Sequence, residues 1–260
     1  LVVLAHQERA ARYHLDRVGA RSSASEQGHR LTGVKSLVPA GDEADAFIVP
    51  ANAGGGDDDD SDLAMFPVER SGAGVTVRGY PPQDGARAAE LTLTAAPATL
   101  ISADGLAELE AGIDTAIAAV CAEAVGAMDK LVAITVEYMN TRKQFGTTLA
   151  TFQALRHRIA DVKMQLELAR SMSYYATLRL GDPAARRRQA VAQAKVQIGQ
   201  SARFIGQQCV QLHGGIGVTD EYIASHYFKR LTMIEMQHGD TLHHLGEVSS
   251  RMQDTAGALG

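Results

Sequence analysis

Two stretches of this chain place residue types where a phosphorylated cofactor could be held. Arg142 opens Arg-Lys-Gln-Phe-Gly, which runs at once into a helix-like pattern. Further on, Gln211 precedes His213-Gly214-Gly215-Ile216-Gly217. A guanidinium offers a planar fork of donors to phosphate oxygens. Glycines let the backbone approach a cofactor with no Cβ in the way. Taken alone, the arginine also reads as a solvated cap and the glycine run as a helix stop. It is not a dinucleotide fingerprint, because a helix rather than a strand precedes it.

A third group, His238-Gly239-Asp240, holds a side chain able to take a proton near neutral pH, since an unperturbed imidazole titrates near about 6.5. Asp240 is a displaced alternative. His213, His226, His238, His243 and His244 do not repeat on one helix face as a metal-binding pair would, so no metal site is expected. Cys121 and Cys209 sit in separate helical segments, which predicts free thiols rather than a disulfide frame. The run Gly54–Asp60 reads as a solvated loop, since adjacent carboxylates lack the alternating spacing of a calcium loop.

These groups must be positioned by two halves of different period. From Gly28 to about Leu100, short alternating runs separated by turn residues predict an antiparallel sheet or barrel. From about Ser102, apolar residues recur at spacings of three and four. Ile113, Ile117, Val120, Ala124, Ala127, Leu131 and Ile134 mark one seam, and the stretches from Phe152 and from Val191 repeat it. Breaks fall at Gly146, at Gly181–Pro183 and at Gly214–Gly217, with a further interruption near Gly239. The expectation is an α+β chain: a β-domain over 1–101 and an antiparallel four-helix bundle over 102–260. Alanine and glycine on the helices suit close approach and burial against other subunits.

At 260 residues and 45% hydrophobic, the chain can bury a sizeable core. Its net charge of -5 gives no field to gather nucleic acid or an anionic membrane. The densest basic run, Arg186–Arg188, reads as a solvated helix start. No stretch is apolar and long enough for a membrane-spanning helix. The N-terminus is too charged for a signal peptide, so a cytoplasmic protein is expected. A start at Leu1 rather than methionine suggests a fragment.

The segment EYMNTRKQFGTTLATFQALRHRIADVKMQLELAR resembles the signature of acyl-CoA dehydrogenases, and QLHGGIGVTDEYIASHYFKRL is similar to that family's second signature. GHRLTGVKSLVPAGDEADAFIV resembles a strand pair of its middle domain. The resemblance implies FAD, an acyl-CoA substrate, and a fold whose N-terminal helical domain is absent here. It also implies that the bundle of one subunit grips the adenosine diphosphate half of a neighbour's FAD. Arg142, Gln144 and Phe145 would meet the pyrophosphate, Leu149 and Phe152 would line the adenine side, and Gln211, Gly214 and Gly215 would close the other wall.

By the same resemblance, the glutamate that removes the α-proton is missing. His238 occupies one of its two places and Ala116 the other. The strand that faces the flavin ring reads Leu37, Val38, Pro39, and proline offers that ring neither hydroxyl nor amide hydrogen. The pattern is similar to the small subunit of heteromeric acyl-CoA dehydrogenases, including the stretches ARYHL and HGDTLHHL. It implies a heterotetramer with a catalytic subunit. The alternatives are a homo-oligomer, a self-sufficient flavin enzyme using His238 as base, or a scaffold without FAD.

Overall fold

The computed structural model describes residues 1–26, 28–53 and 63–256, so the acidic run Gly54–Asp60 lies outside the described residues. The chain divides into two compact units, Leu1–Gly112 and Ile113–Gly260.

The first unit is one curled sheet of seven strands. These are β1 (Val2–Leu4), β2 (Arg21–Ser25), β3 (Gly28–Pro39), β4 (Ala46–Asn52), β5 (Leu63–Glu69), β6 (Val75–Tyr80) and β7 (Ala88–Ala98). Their order is β1-β4-β2-β3-β7-β6, with β5 also on β4. Most pairs are antiparallel, but β1 and β2 each meet β4 in parallel. Leu31, Phe47, Val49, Phe66, Leu91 and Leu93 form its core. Each such side chain contributes about 1.5–3 kcal/mol by leaving water. Register slips on β3 between Leu31 and Gly33 and between Lys35 and Val38 bend the strand. The second slip turns Leu37 into the left-handed region, at φ 52°.

The helices are α1 (Gly105–Thr141), α2 (Gln153–Leu178), α3 (Ala184–His213), α4 (Ile223–Met236) and α5 (Thr241–Ala256), with α4 and α5 forming a broken fourth arm. Between α1 and α2 lies a small hairpin, β8 (Lys143–Gln144) with β9 (Thr147–Thr148). Phe145 and Gly146 turn it at φ 54° and 81°.

Helix α3 is the most enclosed, burying Ala190, Ala194, Ile198, Ala202, Ile205 and Cys209. On α1 the buried line runs Ile113, Ile117, Cys121, Ala124, Met128, Leu131, Thr135 and Met139. The expected seam placed Val120, Ala127 and Ile134 there, and these are only half-buried. A seam repeating every 3.5 residues drifts against a helix of about 3.6 residues per turn, so over several turns the inward position moves on by one residue.

Polar ties join α1 to its neighbours. Arg170 on α2 reaches Asp129 at 2.9 Å, and Arg230 on α4 grips Glu123 with two bonds of 2.6 and 2.8 Å. Arg187 reaches Asp114 at 2.8 Å, with their side chains only 15% and 2% exposed. The basic run at the start of α3 is therefore not wholly solvated, because one of its three guanidiniums neutralises a buried carboxylate.

Candidate nucleotide cleft and the His238 turn

In the helical unit, the end of α1, the β8 hairpin, the start of α2 and the turn after α3 enclose a cleft of about 550 Å³. It brings together Arg142, Gln144, Leu149, Gln211, Gly214 and Gly215. Arg142 sits one residue past α1, where its amide caps Tyr138 O at 2.8 Å and its carbonyl accepts from Leu149 N at 3.0 Å. These two bonds fix its backbone while the side chain stays exposed. Among the described residues its guanidinium makes no ion pair.

Gly214 ends α3 at φ 65°, with its N–H donating to Gln211 O. A Cβ built on Gly214 or Gly215 would meet nothing within 4 Å, so these two glycines leave open space that side chains would fill. That is what close approach of a cofactor to the backbone requires. Phe145 and Phe152 are not part of this lining. Phe145 takes the left-handed corner of the hairpin, is 90% exposed, and meets the Phe152 ring edge-on at 6.2 Å.

The cleft also draws in Tyr138, which the sequence did not single out, and His213, which was weighed there only as a metal ligand. The rings of Tyr138, His213 and Tyr222 pack together, with the His213 centroid 4.6 Å from that of Tyr138 and 5.1 Å from that of Tyr222. The signal was present: Tyr138 lies one helical turn before Arg142, and His213 directly precedes the glycine pair. His213 Nδ1–H donates to Cys209 O at 2.8 Å, which leaves Nε2 as a buried acceptor. Burial lowers its pKa, so the ring is neutral at neutral pH.

His238 lies between α4 and α5, away from the cleft lining. It is half-buried and left-handed at φ 55°, and Gly239 follows at φ 108°. A side chain at Gly239 would strike both His243 and His244. Lys195, fully buried on α3, fastens the turn. Its Nζ donates to the carbonyls of Ile234, Glu235 and Gly239 at 3.0, 2.8 and 2.8 Å. All three ammonium protons are used, and together they cap the end of α4. Burial lowers the Lys195 pKa to about 8, against the opposing pull of Cys121, Glu235 and Asp240, so it stays cationic at neutral pH.

Burial, reinforced by that ammonium, pushes His238 down to about 4. An imidazole so shifted is neutral at pH 7 but far from the range in which it best removes protons. The nearby carboxylates are committed to structure. Asp240 Oδ1 accepts from His243 N at 2.8 Å and so caps α5. Glu235 Oε1 accepts from Thr241 N and Oγ at 3.1 and 2.8 Å. Ala116 on α1 brings only a methyl group, and the nearby Asp114 is held by Arg187. Among the described residues no group of three His, Cys, Asp or Glu side chains could hold a metal ion. No helix of the described residues is long and apolar enough to cross a membrane.

Residues 103–253 match the family model Acyl-CoA dehydrogenase, C-terminal domain. This chain belongs to the acyl-CoA dehydrogenase family. It is 25% identical over 236 residues to acyl-CoA dehydrogenase FadE27 of Mycobacterium tuberculosis, covering 88% of this chain and 62% of that one. It is 32% identical over 155 residues to acyl-CoA dehydrogenase IpdE2 of Mycolicibacterium smegmatis, covering 60% and 46%. The chain thus spans roughly half to three fifths of these relatives. Among solved structures it superposes on the Tcur3481-Tcur3483 steroid ACAD G363A variant with a TM-score of 0.86 and 26% identity, covering 98% of this chain and 68% of that one. Family members are FAD-dependent flavoproteins. The cleft fits part of such a cofactor: a guanidinium with no internal carboxylate, two amide side chains, and a glycine turn with room against its backbone.

Proposed function

We propose that this chain is the flavin-supporting, non-catalytic subunit of a heteromeric acyl-CoA dehydrogenase, working in the cytoplasm in a heterotetramer with a subunit that carries the catalytic glutamate. The reaction is α,β-dehydrogenation of an acyl-CoA thioester. The observation that carries the reading is the contrast between two places in one unit. The cleft offers Arg142 and an open glycine turn, whereas the turn where a base is needed holds a neutral imidazole among carboxylates already spent on helix caps.

FAD, when bound, supplies the acceptor for the hydride leaving the β-carbon. The chain's own part is to bind and orient. Arg142 would neutralise pyrophosphate oxygens, Gln144 and Gln211 would offer amide bonds, Leu149 would pack on the adenine side, and Gly214 and Gly215 would admit the cofactor to the backbone. The two-protein name of the solved relative, Tcur3481-Tcur3483, supports a mixed assembly.

The test uses the complex co-expressed with an acyl-CoA dehydrogenase-like partner. Arg142→Gln is expected to weaken flavin retention about tenfold or more, in keeping with the loss of a charge-assisted phosphate contact. His238→Ala is expected to leave turnover within about twofold, well short of the loss that follows removal of a catalytic base. A collapse of turnover in His238→Ala with flavin retained would instead make this histidine the base.

A further inference from the structure

Behind the glycine turn of the nucleotide cleft lies a cluster of three rings that binding a nucleotide does not by itself require. His213 ends α3 and joins it to the turn Gly214–Val218, with only 3% of the residue exposed. Ring centroids stand 4.6 Å apart for His213 and Tyr138, 5.1 Å for His213 and Tyr222, and 6.2 Å for the two tyrosines. Tyr138 lies on α1 one turn before Arg142, so the cluster ties the arginine wall to the glycine wall.

The turn is seated directly on this histidine. A Cβ at Gly217 would come within 2.9 Å of His213 Cβ and 2.7 Å of Val210 O, so no side chain fits between them. Movement of the imidazole out of its place therefore displaces the backbone that borders the cleft.

His213 Nδ1–H is spent on Cys209 O at 2.8 Å, and Nε2 is buried with no hydrogen-bond partner among the described residues. A proton arriving at Nε2 would create a charged donor with nothing to receive it. The neighbouring groups supply no counter-ion. On α1, Glu137 acts on the Tyr222 hydroxyl, which burial first and then Glu137 and Tyr138 keep neutral. On α3, burial holds the Cys209 thiol protonated. Before α4, Asp220 is paired with Lys229, and Arg142 in the cleft lining is itself a cation. Burial accordingly lowers the His213 pKa, against the pull of the Cys209 carbonyl.

We infer that His213 is a positioning residue that makes flavin retention acid-sensitive: while neutral it seats the glycine turn, and on protonation it leaves the ring cluster and unseats that turn. This rests on the nucleotide reading of the cleft and adds its regulation. The seated imidazole binds a proton more weakly than an exposed one, which titrates near about 6.5. Affinity is therefore complete above that pH and is lost below it, by up to about tenfold per pH unit.

FAD is a suitable probe, because its diphosphate diester does not titrate in this range. The complex co-expressed with the acyl-CoA dehydrogenase-like partner is diluted at a series of pH values, and released flavin is read by its fluorescence. Retention should weaken about tenfold between about pH 7 and 5.5 in the unsubstituted complex. In His213→Phe, whose ring fills much the same space and takes no proton, the change should stay below about twofold. Arg142→Gln should weaken retention at every pH and keep the slope. Should His213→Phe misfold, hydrogen exchange in the unsubstituted complex decides. Corrected for intrinsic rates, the amides of Gly214–Val218 should lose protection over the same range while those of α2 hold theirs. An unchanged slope in a folded His213→Phe, tighter binding on acidification, or unaltered protection of the turn overturns the acid sensitivity alone. Failure to retain flavin at about pH 8, with or without the partner, overturns the nucleotide reading and this inference with it.

Discussion

At His238 burial governs the local chemistry. Its pKa is depressed, from an ordinary value of about 6.5 to about 4, by burial first and then by the Lys195 ammonium, and His244 falls to about 3 for the same leading reason. A group that resists protonation when folded stabilises the fold fully above its unfolded pKa. That stability is lost as pH falls through about 6.5 towards the folded values. Urea midpoints should therefore drop between about pH 6.5 and 4. His238→Asn should remove on the order of 1–3 kcal/mol of that dependence, and an unchanged slope would mean the imidazole is not buried as described. The thiols obey the same physics: burial raises Cys121 to about 12 and Cys209 to about 11. Neither should react with a disulfide reagent at neutral pH until denaturant is added. Most of the cleft was legible residue by residue, because arginine and glycine carry their chemistry in their type. The committed state of Asp240 and Glu235 was not, since a cap depends on which amide a carboxylate happens to face.

Among the elements, α3 matters most, and its fit against α5 is set by one missing side chain. A Cβ at Gly199 would run into Oγ of Thr241, the hydroxyl bonded to Glu235. Gly199→Ala should cost about 1–3 kcal/mol in chemical denaturation, although alanine is the better helix former. A neutral or stabilising result would show that α5 is free to shift. The helices were readable because long periodic seams and their glycine breaks survive local noise, including the break near Gly239 that separates α4 from α5. The drift of the α1 seam was less so, since three-and-four spacing alone does not fix the period to a tenth of a residue. Strands β3 to β7 announced themselves by alternation. Strand β2, Arg-Ser-Ser-Ala-Ser, has no apolar face and exists because β3 offers it a ladder. The parallel joins of β1 and β2 to β4 depend on long-range pairing that no local pattern encodes.

For the whole molecule, the proposed function requires a division of labour between unlike chains, one holding the nucleotide end of the flavin and the other supplying the ring seat and the base. The family and the two-part architecture follow from the sequence, but the assembly does not, because a subunit interface is written in two sequences at once. The most direct measurement is native mass together with flavin content of the complex formed on co-expression with an acyl-CoA dehydrogenase-like partner. The expected result is a mixed tetramer carrying one FAD for each pair of unlike chains. A tetramer of this chain alone, with one FAD per chain and turning over acyl-CoA, would contradict it.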